Sequence, residues 1–274
     1  MKIKIKTAYL CLVFLNFFLF ANNTHPQKSY ELLKNERVNR IHPTHHITNI
    51  IRDNNKIGLD QESLKGLGLQ TINNKISGIR SNDLDETYES QNFLFHYTLD
   101  SNDDDQISNE DINNNNIPDY IDKVSQVYEY VWDYYIETMG FDPPVSDGNL
   151  GGSEKYDIYI ENLPSNYWAI TYTSDANTES NTSSASFIKM RNNYNSIIFS
   201  SITELENIQI TAAHEFFHAI QFSYNAYERF WIMEATATWA EDEIYDDVND
   251  LYRYMTSWFQ NPDTPLDTET SHMY

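Results

Sequence analysis

Thr211-Ala212-Ala213-His214-Glu215-Phe216-Phe217-His218-Ala219-Ile220-Gln221-Phe222 is the stretch on which the reading of the whole chain turns. Residues four apart on an α-helix are offset by only about 40° around the axis and ~6 Å along it. The imidazoles of His214 and His218 can therefore reach one metal ion from the same face. Glu215 follows the first histidine directly, so its carboxylate points beside that metal, where it can take a proton from a bound water. The flanks predict a helix. Thr203 and Glu206 form a T-x-x-E capping box ahead of the stretch. Leu205, Ile208, Ala212, Glu215, Phe216 and Ala219 recur three and four apart, and no proline or glycine interrupts residues 204–224. That periodicity predicts about twenty helical residues, with Phe216, Phe217 and Ile220 packed inward to fix the direction of the imidazoles.

Two histidines are too few, because catalytic zinc takes three protein ligands and leaves one position open. Downstream lies Trp231-Ile232-Met233-Glu234-Ala235-Thr236-Ala237-Thr238-Trp239-Ala240-Glu241, also helical in pattern, with small alanines that allow close approach to the first helix. Glu234 is the expected third ligand. Glu241, two turns further along the same face, is either its rival or the acceptor for a histidine N–H. A helix carrying H-E-x-x-H is the arrangement of zinc metalloproteases.

With these motifs the chain resembles secreted bacterial zinc metalloproteases of the gluzincin (HExxH…E) type. The resemblance rests on 211–222, on Trp231, Met233–Ala237, Trp239 and Glu241-Asp242, and on 245–250 and Pro265-Leu266-Asp267. Ile117–Asp122 and Tyr156–Ile160 fit as well, so it spans roughly residues 93–274. It implies an α+β, zincin-like metalloprotease domain with a mixed sheet and an active-site helix carrying HExxH. It also implies His214, His218 and Glu234 as zinc ligands and Glu215 as general base. Zinc would lower the pKa of its bound water and polarise the scissile carbonyl, while Glu215 passes the water proton to the leaving amine. A second electrophile for the oxyanion is not placed; Tyr245, Tyr252 and Tyr254 are the tyrosines nearest in sequence. A hairpin of 186–190 and 196–199, turning at 192–195, is the candidate edge for pairing with an extended substrate.

A second metal is expected upstream. Asp100, Asn102, Asp104, Ser108 and Asp111 occupy positions 1, 3, 5, 9 and 12 of a twelve-residue loop, with Ile107 at the apolar eighth place. Asp105 stands where glycine is usual, and position 12 is aspartate rather than glutamate. An overlapping loop runs through Asp111, Asn113, Asn115, Asp119 and Asp122, with Asn116 at its glycine position. Tandem loops sharing an aspartate resemble the acidic calcium repeats of dockerins and thrombospondin type 3 segments. Calcium would hold together like charges that otherwise repel.

Residues 1–21 read as a signal peptide: Lys2, Lys4 and Lys6 precede an apolar run from Ala8 to Phe20, with Ala21 at the cut. No stable membrane span is expected after its removal, and localisation is secreted or extracytoplasmic, in a bacterium. Cys11 lies inside the leader and is the one cysteine of the chain, so no disulfide is expected. The net charge of −23, more negative still without the leader lysines, argues against a nucleic-acid partner. An extracellular protein or peptide substrate fits. Residues 22–90 read as a polar pro-segment or loosely ordered arm, in which His42, His45 and His46 could cap the zinc of a precursor. Residues 91–274 read as the catalytic domain, with the calcium-loop segment at 100–122, a helix from Pro118 to Met139 and an amphipathic helix over 248–260. Ending at Ser271-His272-Met273-Tyr274, where related chains continue, the domain is expected to be C-terminally incomplete. The alternative function is a non-catalytic, calcium-dependent extracellular binding protein on a zincin scaffold.

Overall fold

The computed structural model describes Thr44, Ile47, Thr48, Ile50, Ile51 and residues 58–72, 75–174, 182–265 and 267. The leader, His42, His45, His46 and the last seven residues lie outside the described residues. The stretch read as a polar pro-segment or loosely ordered arm carries regular structure over its described part. Thr44, Ile47, Thr48, Ile50 and Ile51 are helical and buried. A short helix α1 (Gln61–Gly66) follows, with Asp60 as its N-cap. Then comes the antiparallel hairpin β1 (Leu69–Ile72) and β2 (Lys75–Gly78). A segment that looks polar on average is anchored by a few scattered aliphatics.

The main sheet has five strands. β3 (Glu86–Glu89) pairs antiparallel with β4 (Phe93–Tyr97), which runs parallel to β5 (Tyr156–Glu161). β7 (Ser186–Arg191) lies parallel to β5 on its other side, and β6 (Ala169–Thr173) closes the sheet antiparallel to β7. The spatial order is β3-β4-β5-β7-β6. The fold class is thus α+β with a mixed sheet, as expected. Its three central strands are covered on both faces, which is why β4, β5 and β7 read as nearly unbroken buried runs.

Strand alternation divides the core into two. Phe93, Phe95, Tyr156, Ile158, Ile160, Ile188, Met190 and Ala169 face the helices. Tyr159, Phe187, Ile170 and Tyr172 face outward, beneath Ile47, Ile50, Ile51, Leu64, Leu69 and Ile76. Gly78 belongs to this outer layer: a Cβ there would lie 2.6 Å from the Phe187 ring and 2.8 Å from Tyr172. At the rim of the same face, buried Asp157 accepts from Arg80 and lies 2.8 Å from His96 Nε2, while Arg80 also pairs with Asp147.

Helix α2 (Asp119–Trp132) starts from Pro118 and passes into a π-helical turn, Asp133–Thr138, before Gly140 at φ 78° ends it. The wide turn sets Tyr135 Oη 3.2 Å from the Ala213 carbonyl and 3.0 Å from the Ala240 carbonyl. Helix α3 (Glu204–Asn225) carries both halves of the expected capping box. Helix α4 (Phe230–Ile244) packs against it. Two expectations fail. Ile197–Phe199 is a 3-10 turn rather than a strand, so β7 has no hairpin partner there and is interior; the sheet edge is β6. The last helix, α5 (Tyr252–Gln260), starts later than expected, after Asn249 at φ 53°, and leaves Met255, Trp258 and Phe259 exposed.

Candidate metal centre

Capping by Thr203 and the unbroken apolar spacing fix the rotation of α3, which turns His214 and His218 toward α4 with both side chains fully buried. Their Nε2 atoms lie 3.1 Å apart. Glu234, from the second turn of α4, sets Oε2 3.3 Å from His214 Nε2 and Oε1 3.3 Å from His218 Nε2. Among the described residues this is the one group of three histidine, cysteine or acidic side chains whose donor atoms converge within 4.8 Å.

The outer nitrogens are equally defined. His214 Nδ1 lies 2.6 Å from Glu241 Oε1, and His218 Nδ1 lies 2.7 Å from Gln221 Oε1. Gln221 is held in turn, donating through Nε2 to the Met233 carbonyl and to Thr236 Oγ1. Glu241 therefore takes the second of the two roles left open for it. With both Nδ1 atoms donating outward, both Nε2 lone pairs point at the space shared with Glu234. Those lone pairs repel unless a cation lies between them. The two Nε2 atoms lie 3.1 Å apart and each is 3.3 Å from a different oxygen of Glu234, so one metal ion could be reached by all three side chains. Burial alone would lower the His214 pKa, but the Glu234 and Glu241 carboxylates outweigh it and push it up to about 10. A field that holds a proton so firmly also suits a metal cation. The residues present thus form a buried group that could hold a metal ion.

Glu215 faces the sheet. Its Oε2 accepts from Thr171 Oγ1 on β6 at 2.7 Å and from Thr44 Oγ1 at 2.8 Å. Thr44 Oγ1 accepts in turn from the Thr171 backbone N–H at 2.8 Å. Thr44, Thr171, Gln221 and Tyr135 were not singled out in the sequence. Gln221 sits three residues after His218, a spacing that makes helix neighbours, so that signal was available. For Thr44 there was none. Neither Tyr245 nor Tyr252 is placed at the centre. Tyr245 packs beside Tyr130, where burial raises its pKa, and Tyr252 is exposed. The Tyr254 side chain lies outside the described residues.

The acidic loops behave differently from each other. In the second, Asp111 accepts from the Asn115 and Asn116 backbones, and Asp122 Oδ2 accepts from Asn113 Nδ2 and Asn115 Nδ2, both at 2.8 Å. Asp119 accepts from the Ile112 N–H, and Asn116 takes φ 65° as its glycine-like position requires. In the first, Asp100 bonds Asn102, but the Asp104 carbonyl and Asp105 carboxylate are spent on Asn192 and Asn162. Ile107 is buried, as its place in the loop predicts.

No helix among the described residues is long and apolar enough to cross a membrane. Comparison with protein-family models, with curated proteins and with solved structures finds no match to this chain.

Proposed function

We propose that the chain is a secreted zinc-dependent endopeptidase. One observation carries this reading: a buried His214–His218–Glu234 donor group with Glu215 next to it on the same helix, facing the edge strand β6. A binding protein has no use for a carboxylate base at that position. His214, His218 and Glu234 would hold the zinc, which when bound would supply a Lewis acid and lower the pKa of a water on it. Glu241 and Gln221 keep the two imidazoles in the tautomer that offers Nε2 inward. Glu215 takes the proton of the attacking water and gives it to the amide nitrogen as the peptide bond breaks. Thr171 aims the Glu215 carboxylate. The substrate, an extracellular protein or peptide, lies extended along the outer edge of β6 once that edge is uncovered, where backbone pairing supplies affinity independent of side chains. The loop from Asp111 to Asp122 binds calcium and ties the start of α2.

Zinc content and casein cleavage, measured together on the wild type and on Glu215→Gln, test the assignment. Zinc in both proteins with turnover only in the wild type is the expected result. Lack of zinc in the wild type overturns it.

A further inference from the structure

Thr44 stands where a substrate would be. In an antiparallel edge strand alternate residues turn their N–H groups outward, and that of Thr171 is outward because it donates to Thr44 Oγ1 rather than to β7. The same Thr44 hydroxyl donates to Glu215 Oε2. One side chain therefore occupies both the outward N–H of Thr171 on the edge strand β6 and the carboxylate of the proposed base. It is completely buried, and the helical residues after it hold it there: Ile47, Ile50 and Ile51 are seated on the outer face of the sheet with Tyr159, Ile170, Tyr172 and Phe187. Thr48 Oγ1 bonds the Thr44 carbonyl at 2.8 Å and stiffens the turn that presents the hydroxyl.

Resting on the peptidase reading, we infer that the segment carrying Thr44 is an autoinhibitory latch, which blocks the site by hydrogen-bonding Glu215 and the Thr171 amide at once. It differs from a plug on the metal: the contact is with the base and the substrate edge. With Thr44 in place the Glu215 oxygen that would meet a water is already bonded to two hydroxyls, and a β-edge whose N–H is already bonded pairs poorly with a peptide. Opening requires only that Thr44 leave; the hairpin β1–β2 can stay.

The test compares zinc-loaded wild type with Thr44→Val, which removes the hydroxyl, and Thr44→Ser, which keeps it. Three quantities are read: hydrogen exchange at the Thr171 amide, affinity for a peptidyl hydroxamate by calorimetry, and casein cleavage. In Thr44→Val the amide exchanges faster and the hydroxamate binds roughly tenfold tighter, the size expected for freeing a site from one charge-assisted hydrogen bond. Thr44→Ser returns both to wild-type values. Ile50→Asp, which unseats the helix and leaves Thr44 intact, gives the same gain by an independent route. Hydroxamate affinity that is unchanged or weaker in Thr44→Val and Ile50→Asp overturns the latch, and a weaker value identifies Thr44 as a support for Glu215. Tighter hydroxamate binding with no cleavage by any variant upholds the latch and removes the peptidase reading instead.

Discussion

At the scale of single residues the centre is a chain of orienting contacts. Glu241 holds His214, Gln221 holds His218, and the Met233 carbonyl and Thr236 hold Gln221. Removing an orienting partner of a metal histidine costs about 10–100-fold in metal affinity. Glu241→Ala is expected to weaken zinc binding by that amount in a chelator competition, with the fold kept. Gln221→Ala should do the same for His218, and the two losses should combine nearly additively, because each acts on a different imidazole. Glu234 was the expected partner of the two histidines and Glu241 its rival or a histidine acceptor, but the sequence alone could not close the choice between them. Both lie on one face of α4, seven residues apart, and only the height at which α4 crosses α3 decides between them. That height depends on packing among Phe217, Ala237, Ala240 and Trp239. It also depends on a tyrosine from a third helix.

At the scale of elements, legibility followed local chemistry. Helix α3 could be read at its start and in its extent of about twenty residues, since its cap, its apolar period and its lack of breakers all agree. Thr203→Ala is expected to destabilise the fold by about 1 kcal/mol, seen as a lower urea midpoint. The Thr203 backbone N–H and hydroxyl hold the Glu206 carboxyl below its ordinary pKa. A depressed carboxyl contributes stability above its unfolded pKa and loses it as pH falls through the folded value. The gap between Thr203→Ala and wild type should therefore narrow in acid. Strand β6 could not be read with the same ease. Ala169-Ile170-Thr171-Tyr172-Thr173 alternates correctly, but which strand becomes the edge is a property of the whole sheet. The 196–199 segment misled for the opposite reason: β-branched and aromatic residues favour a strand, yet Phe199 is drawn into the core between Trp168 and Tyr194, and the chain coils to deliver it. The π turn at Asp133–Thr138 has no sequence signal, but its effect is measurable. Tyr135→Phe removes a hydroxyl that bonds the backbones of both site helices, and should cost about 1 kcal/mol of stability with a lower zinc affinity.

At the scale of the molecule, the sheet is a partition with a layer on each side, and the sequence disclosed one layer better than the other. The helical side announced itself through motifs. The outer side is built from Ile47, Ile50, Ile51, Leu64, Leu69 and Ile76, scattered through a stretch whose polar average conceals them. The high negative charge belongs to this scale too. Calcium at the Asp111–Asp122 loop should raise the melting temperature by several degrees, and Asp122→Ala should abolish the response, since RT ln(1 + [L]/Kd) at 100 Kd is about 2.7 kcal/mol. Two-sided coverage finally sets where the chain tolerates being cut. A protein beginning at Leu59 sheds Thr44 and its three isoleucines but keeps Leu64, Leu69 and Ile76 over the sheet, and it should stay monodisperse in light scattering. One beginning at Asp83 leaves Tyr159, Tyr172, Phe187 and Ile170 facing water as a contiguous apolar slab, and it should precipitate or self-associate. Shortening of this chain, then, is bounded by solubility: it can lose Thr44 and the isoleucines after it, but it must keep the layer over the outer face of the sheet.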